Sequence, residues 1–349
     1  MKKAFERLPK YAIAIICVVV GVFGQWAFSR AHFSDTSTVP SGTSFTSPAD
    51  ADGSIREADE RYQMIKPLLL CSEKSSFYQD QTIEAKFSDY INRVKASGQV
   101  TNVAVYFKDL NSGSWTAVNG NDRYSPASLL KVALMLSYYK LAEINPSILS
   151  KQVVYESKQN LNANEHFEPT KTLQTGGVYT FDSIIKTMIS NSDNNAFAVL
   201  QNFADKTSLS EVYSDLGMPQ PPQSDDAATI DFLSVKTYAH IFRVLYSATY
   251  LTRELSEKAL EILSQTRFSQ GLRAGLPDGT IVANKFGERT VQDTDQNVLF
   301  RELHDCGIVY APQHPYIMCV MTKGDDFTKL ARVISSLSSI AYKYETTQN

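Results

Sequence analysis

Tyr124-Ser-Pro-Ala-Ser128-Leu-Leu-Lys131-Val-Ala-Leu-Met-Leu136 reads as an extended entry followed by an apolar helix. Pro126 falls in or just before the first turn, where its missing N–H leaves nothing unpaired that would otherwise be paired. Ser128 and Lys131, three residues apart, lie on one helix face within reach of each other. At a helix N-terminus, unpaired backbone N–H groups and the positive end of the dipole favour developing negative charge on the serine oxygen. A partly desolvated lysine beside it loses its proton near neutral pH and takes up the serine's proton. The segment therefore places a nucleophile and its base in one turn of helix. Alone, Ser-x-x-Lys carries little information, because an ordinary capped helix produces it as readily.

Two further motifs follow in order. Ser192-Asp193-Asn194 sits in Met188-Ile-Ser-Asn-Ser-Asp-Asn-Asn-Ala-Phe-Ala-Val-Leu200, where apolar residues on both sides mark a break between two helices. A short polar tripeptide there projects a hydroxyl and an amide into a cleft, although the same residues also serve as helix caps. Lys285-Phe286-Gly287 lies in Gly279-Thr-Ile-Val-Ala-Asn-Lys-Phe-Gly-Glu288, whose β-branched residues indicate a strand. Its glycine would let a ligand approach the backbone.

The three motifs together resemble the signature set of class A β-lactamases and penicillin-binding proteins, Ser-x-x-Lys, Ser-Asp-Asn and Lys-Thr-Gly. The resemblance extends over roughly residues 80–345. Asn102 to Trp115, with a turn at Asn-Ser-Gly, looks like the family's first hairpin. Gly271-Leu-Arg-Ala-Gly-Leu-Pro-Asp-Gly-Thr280 looks like the approach to the third motif, and His304 to Pro312 with Tyr316 to Gly324 like the last two strands. It implies an α+β fold: an antiparallel sheet built from both chain ends, flanked by helices, with an all-helical subdomain inserted at about 134–266. Helical patterning agrees, at Ser137 to Ile144, Phe181 to Ser190, Asn195 to Ala204, Leu209 to Leu216, Ser234 to Tyr246 and Arg253 to Ser264. Arg56 to Val94 also carries helical patterning, and the folded domain is expected to open with the helix containing Ala85 to Val94.

The resemblance assigns roles residue by residue. Ser128 would attack a carbonyl carbon and Lys131 would act as its base. Ser192 would pass the proton to the leaving nitrogen, and Lys285 would supply positive potential. Asn194 would hold the substrate amide. Gly287 would allow close approach of substrate, and the backbone N–H groups of Ser128 and Glu288 would form the oxyanion hole. Two departures limit the transfer. Phe286 stands where the family has a hydroxyl that helps bind the substrate carboxylate; pointing into the cleft, its ring would favour a more apolar or neutral substrate. The family's Ω-loop glutamate, which activates the deacylating water, has no counterpart in Gly217 to Thr229. Three prolines stiffen that connector, and Asp225 and Asp226 are its only carboxylates. Slow deacylation is the expectation.

A net charge of −3 gives no electrostatic reason to expect nucleic acid as a partner. His166, His304 and His314 are scattered, no zinc spacing occurs, and no metal or organic cofactor is implied. Lys2, Lys3, Arg7 and Lys10 form a basic flank (1–10) ahead of Tyr11 to Phe28, an uncharged apolar run. An uncleaved single-pass transmembrane helix over 11–28 is expected, with the rest outside the cytoplasm; a cleaved signal peptide is the rival. Residues 29–57, rich in Ser, Thr, Pro, Asp and Gly, read as a disordered tether, and 58–349 as the hydrolase domain. Cys71, Cys306 and Cys319 would then face an oxidising space. Cys306 and Cys319 flank the last hairpin, but their register is not legible and no disulfide is assigned.

The expected function is a membrane-anchored serine hydrolase acting on β-lactams or on cell-wall amides ending in D-Ala-D-Ala. A non-catalytic peptidoglycan-binding or sensor domain, and an esterase on the same scaffold, are the alternatives.

Overall fold

The computed structural model describes residues 55–57, 59–70, 78–222 and 230–347. Among these, no helix is long and apolar enough to cross a membrane. The expected anchor at 11–28, Cys71, Asp225 and Asp226 lie outside the described residues.

An antiparallel sheet with order β4-β3-β9-β8-β7 organises the domain. Its strands are β3 (Asn102–Asp109), β4 (Trp115–Val118), β7 (Ile281–Gln292), β8 (Val298–Ala311) and β9 (His314–Gly324). Both chain ends contribute, as the sequence indicated, and β7 lies at an edge. Strand period two sorts the apolar residues onto two faces. Val103, Val105 and Phe107 of β3 and Met318 and Val320 of β9 join a core with Ile83, Phe87 and Ile91 of α1 (Gln81–Ala96). Leu330, Val333, Ile334 and Leu337 of α8 (Phe327–Thr346) complete it. Ala104, Ile317, Cys319 and Met321 face the opposite way, into a core shared with the helical block.

That block contains α2 (Leu130–Ile144), α3 (Phe181–Ser190), α4 (Asn194–Phe203), α5 (Lys206–Asp215), α6 (Val235–Tyr246) and α7 (Arg253–Ser264). The small strands β5 (Gln152–Val154) and β6 (Val178–Thr180) pair within it. The observed helices follow the periodic segments closely because local chemistry starts them. Thr180, Asp193, Ser234 and Thr252 each accept a backbone N–H from the first turn of the helix they precede. Buried Tyr138, Phe181, Ile185, Tyr238 and Phe242 fill the space between them.

Two features depart from expectation. Residues 59–70 are not helical: β1 (Ile55–Arg56) pairs with β2 (Leu68–Leu70). Pro67, immediately before β2, has no N–H to donate and disfavours helical geometry at Lys66. Cys306 and Cys319 are bonded as a disulfide. The turn after Ala311 pairs Ala311 with His314, so counting back along the ladder brings Cys306 directly opposite Cys319.

Candidate active site

Ser128 ends up at the head of α2 by way of a tight 3-10 turn, Ala127–Leu129, rather than a regular helical start. Ala127 takes φ +46°, a left-handed conformation that costs a non-glycine residue about 1–2 kcal/mol. Strain of this kind persists only where surrounding contacts enforce it. Here they do: Tyr238 donates its hydroxyl to Leu129 O at 2.9 Å, and Tyr124 pairs with Leu233 through its backbone. His304 is buried in β8 with Nε2 3.0 Å from Ser125 O, while Thr322 N donates to its Nδ1 at 3.3 Å. Burial depresses its pKa to about 4, so it stays a neutral strut beneath the turn.

Ser192 is also left-handed, at φ +57°, in the three-residue gap between α3 and α4. Asp193, fully buried, caps α4 through Asn195 N at 3.0 Å. It also accepts Asn162 Nδ2 at 2.7 Å, Thr172 Oγ1 at 2.9 Å and Leu173 N at 3.1 Å. The helix break is thereby tied to the loop that precedes β6.

Lys131 is 2 % exposed and Lys285 fully buried, yet both are hydrogen-bonded in the cleft. Lys131 Nζ donates to Ser192 O at 2.6 Å and Asn194 Oδ1 at 2.7 Å, with Ser192 Oγ at 3.3 Å. Lys285 Nζ donates to Ser192 Oγ at 2.8 Å and to Phe286 O at 2.7 Å. Burial lowers the Lys131 pKa to about 8, against an opposite pull from Glu165, Asp193 and Glu288. Burial, and then the neighbouring Lys131, hold Lys285 well below the ordinary lysine range. In its neutral form Lys131 has two N–H bonds, which match the two carbonyl oxygens, and a lone pair left over to take a hydroxyl proton.

A cavity of about 490 Å³ opens on Ser128 and Lys131. Its lining mixes polar Ser125, Asn194, Glu165, Glu288 and Arg289 with apolar Leu134, Phe197, Leu209, Pro221 and Pro222. Gly287 brings β7 against the Ser128 turn. A Cβ there would meet Pro126 O at 2.9 Å and Ser128 N at 3.2 Å. Gly287→Ala is therefore expected to push β7 away from Ser128 and misplace one oxyanion donor. Acylation should fall about 10²–10³-fold with little change in unfolding midpoint, as measured by stopped-flow and by thermal melting.

Phe286 is placed differently from the expectation. Its ring lies beside Lys285, with Nζ 4.4 Å from the ring centroid, and outside the lining of the Ser128 pocket. Its ring stacks on Phe268 with centroids 4.2 Å apart and lines a neighbouring cavity. It makes no wall of the Ser128 pocket, but the family's hydroxyl is still missing from the strand.

Glu165 escaped the sequence reading altogether, and Glu288 entered only for its backbone. Glu165 Oε1 accepts Asn194 Nδ2 at 2.6 Å. The Glu288 carboxylate accepts His166 N at 3.0 Å and Phe167 N at 2.8 Å, so it pins the loop that carries Glu165 against β7. Burial raises the Glu288 pKa to about 7, and the neighbouring Glu165 carboxylate adds to the rise. No local pattern distinguishes Glu165 from other loop acids; its place depends on how the loop folds back.

The sequence matches the family described as Beta-lactamase enzyme family over residues 86–345. No curated protein matches it. Among solved structures, it resembles a leucine-to-glutamate point mutant of PBP-A, an acyl-enzyme complex with penicillin G, at 19% identity and TM-score 0.63. That likeness covers 77% of this chain and 97% of the other. It also resembles the TLA-3 extended-spectrum beta-lactamase (18% identity, TM-score 0.64, 74% of this chain and 98% of that one). A class A beta-lactamase from Mycobacterium abscessus is similar to the same degree, at 18% identity and TM-score 0.63 over 74% of this chain and 98% of that one. With the family match spanning most of the chain, and with a fold shared by class A beta-lactamases and PBP-A, this protein belongs to the beta-lactamase enzyme family as a serine hydrolase.

Proposed function

We propose that the protein forms an acyl-enzyme on Ser128 with β-lactams or with cell-wall amides resembling D-Ala-D-Ala, and that it releases the acyl group slowly. The observation that carries the reading is the network joining Lys131, Ser192, Asn194 and Lys285 beside the Ser128 pocket. Neutral Lys131 takes the proton as Ser128 Oγ attacks the carbonyl carbon. The oxyanion is held by the N–H groups of Ser128 and Glu288. Ser192, bridging both lysines, passes a proton to the departing nitrogen as the C–N bond breaks.

Slow release follows from the proline-rich connector at 217–229, whose sequence carries no glutamate in the place of the family's Ω-loop water activator. The penicillin complex of the similar PBP-A mutant supports the choice of ligand class. Membrane anchoring through residues 11–28, with the domain outside the cytoplasm, completes the proposal. The buried Cys306–Cys319 disulfide supports an oxidising compartment.

The test is intact mass of the full chain in detergent, followed over time with excess benzylpenicillin. The expected result is an adduct that persists for many minutes in the native protein and is absent in Ser128→Ala. Fast loss of penicillin without an adduct would mean efficient turnover and a water activator elsewhere. Neither adduct nor turnover would move the esterase and binding-domain alternatives ahead.

A further inference from the structure

The third-motif strand is where the resemblance places recognition of a substrate carboxylate, and the charges found there do not suit one. Phe286 contributes no hydroxyl, and its ring stacks on Phe268 beside Lys285 Nζ. Lys131 and Lys285 point inward and are committed to Ser192, Asn194 and the Phe286 carbonyl. Arg289, the remaining cation on the pocket wall, pairs with Glu302 at 3.2 Å and Asp231 at 3.4 Å. Lys323 pairs with the same two carboxylates, at 3.0 Å each, so the cluster balances its own charge. Two carboxyl groups line the same pocket instead. Glu288 enters from β7 and Glu165 from the facing loop.

We infer that Glu165 and Glu288 are specificity-determining residues that turn the Ser128 site away from carboxylate-bearing acyl donors and toward those with a neutral amide or an amine at that position. The inference rests on the acyl-enzyme reading above. Like charges brought together in a half-dry pocket repel strongly, whereas an ammonium satisfies two carboxyl oxygens at once. The raised pKa of Glu288 fits this, since burial and the neighbouring Glu165 carboxylate both favour its protonated form. An amine-bearing donor brings a further positive charge to the two carboxyl groups. A carboxylate-bearing donor adds a third negative group with no uncommitted cation among the described wall residues.

The experiment compares three β-lactams that share one ring: benzylpenicillin, its carboxamide and its N-(2-aminoethyl)amide. In each, the Ser128 Oγ–C bond forms, the ring C–N bond breaks and the ring nitrogen takes the proton. Acylation rate constants are read by intact mass on the full chain in detergent. The amine is expected to react fastest and the acid slowest, by at least about tenfold, with the spread narrowing to within about threefold in Glu288→Gln and in Glu165→Gln. Thermal melts accompany both variants. If Glu288→Gln loosens the loop it pins, Glu165→Gln carries the comparison, and any effect through Lys131 cancels in the ratio.

An acid that reacts fastest, or a spread unchanged in both variants, overturns the inference while leaving Ser128 acylation standing. Failure of all three compounds to acylate Ser128 overturns the underlying reading and the inference with it.

Discussion

Lys131→Met is expected to slow acylation of Ser128 between about 10²- and 10⁴-fold, the usual contribution of a positioned general base. Methionine is one atom shorter than lysine but follows the same unbranched path and suits a buried site, so the unfolding midpoint should hold or rise as a desolvated amine is removed. The pH profile makes the test specific. The Lys131 pKa lies near 8, and only the neutral amine accepts the serine proton. Acylation by the native protein should therefore climb about tenfold per pH unit below 8 and level off above it. In Lys131→Met that limb should vanish. Glu165→Gln removes a carboxylate that stabilises the charged lysine, so its limb should move to lower pH and its rate at neutral pH should increase. A limb that stays in place in both variants would assign the proton transfer to another group. Stopped-flow acylation between pH 6 and about 9.5 reads all of these outcomes.

What was legible in the chain was chemistry concentrated at the ends of regular elements. Ser128 and Lys131 share one turn, and Ser192 to Asn194 fill one gap between helices, so each motif is short-range and survives without knowledge of the fold. The family resemblance placed β3, β8 and β9 and the β-branched run indicated β7; both sheet faces are covered, so these strands carry nearly continuous apolar runs. What was not legible depends on register and fold-back. The Cys306–Cys319 bond follows from the pairing of Ala311 with His314, a detail of one turn. The surroundings of Phe286 depend on how Phe268 returns against β7, which the tripeptide itself does not announce. Glu165 meets Asn194 only because the loop after β5 returns over the helix break, held there by Asp193. Its sequence neighbourhood, Asn-Ala-Asn-Glu-His-Phe, announces nothing. The helical reading of Arg56 to Val94 fails over residues 59–70 for a simpler reason, since Pro67 is visible in the sequence and its effect on the preceding turn outweighs the apolar pattern around it.

Asp193→Ala should be the most destabilising single change near the site, at about 3–5 kcal/mol. The carboxylate is fully buried and accepts from the Asn162 amide, the Thr172 hydroxyl and the Leu173 and Asn195 backbone N–H groups. Alanine leaves those four donors in a space where water has little room to replace it, and removes the cap of α4 as well. For a domain of this size the unfolding midpoint should drop by about 6–20 °C. The loss should also reach the chemistry. Asn194 is the first residue of α4, its N–H is held by Asn162 Oδ1 at 2.8 Å, and its side chain accepts Lys131 Nζ. When the cap goes, Asn162 and Asn194 lose their common anchor and Lys131 loses a fixed partner. Acylation measured at about 10 °C, well below the lowered midpoint, should still be down by more than about tenfold. Asp193→Asn separates the two effects: its one carbonyl oxygen preserves part of the cap, and its NH₂ faces donors on the other side. It should therefore fall between native and alanine in stability and closer to alanine in rate. If Asp193→Ala folds with an unchanged midpoint, the four hydrogen bonds are not what holds the helix break. If it loses stability but acylates at the native rate in the cold, Asn194 is positioned by α4 packing and the network through Lys131 does not extend to Asp193.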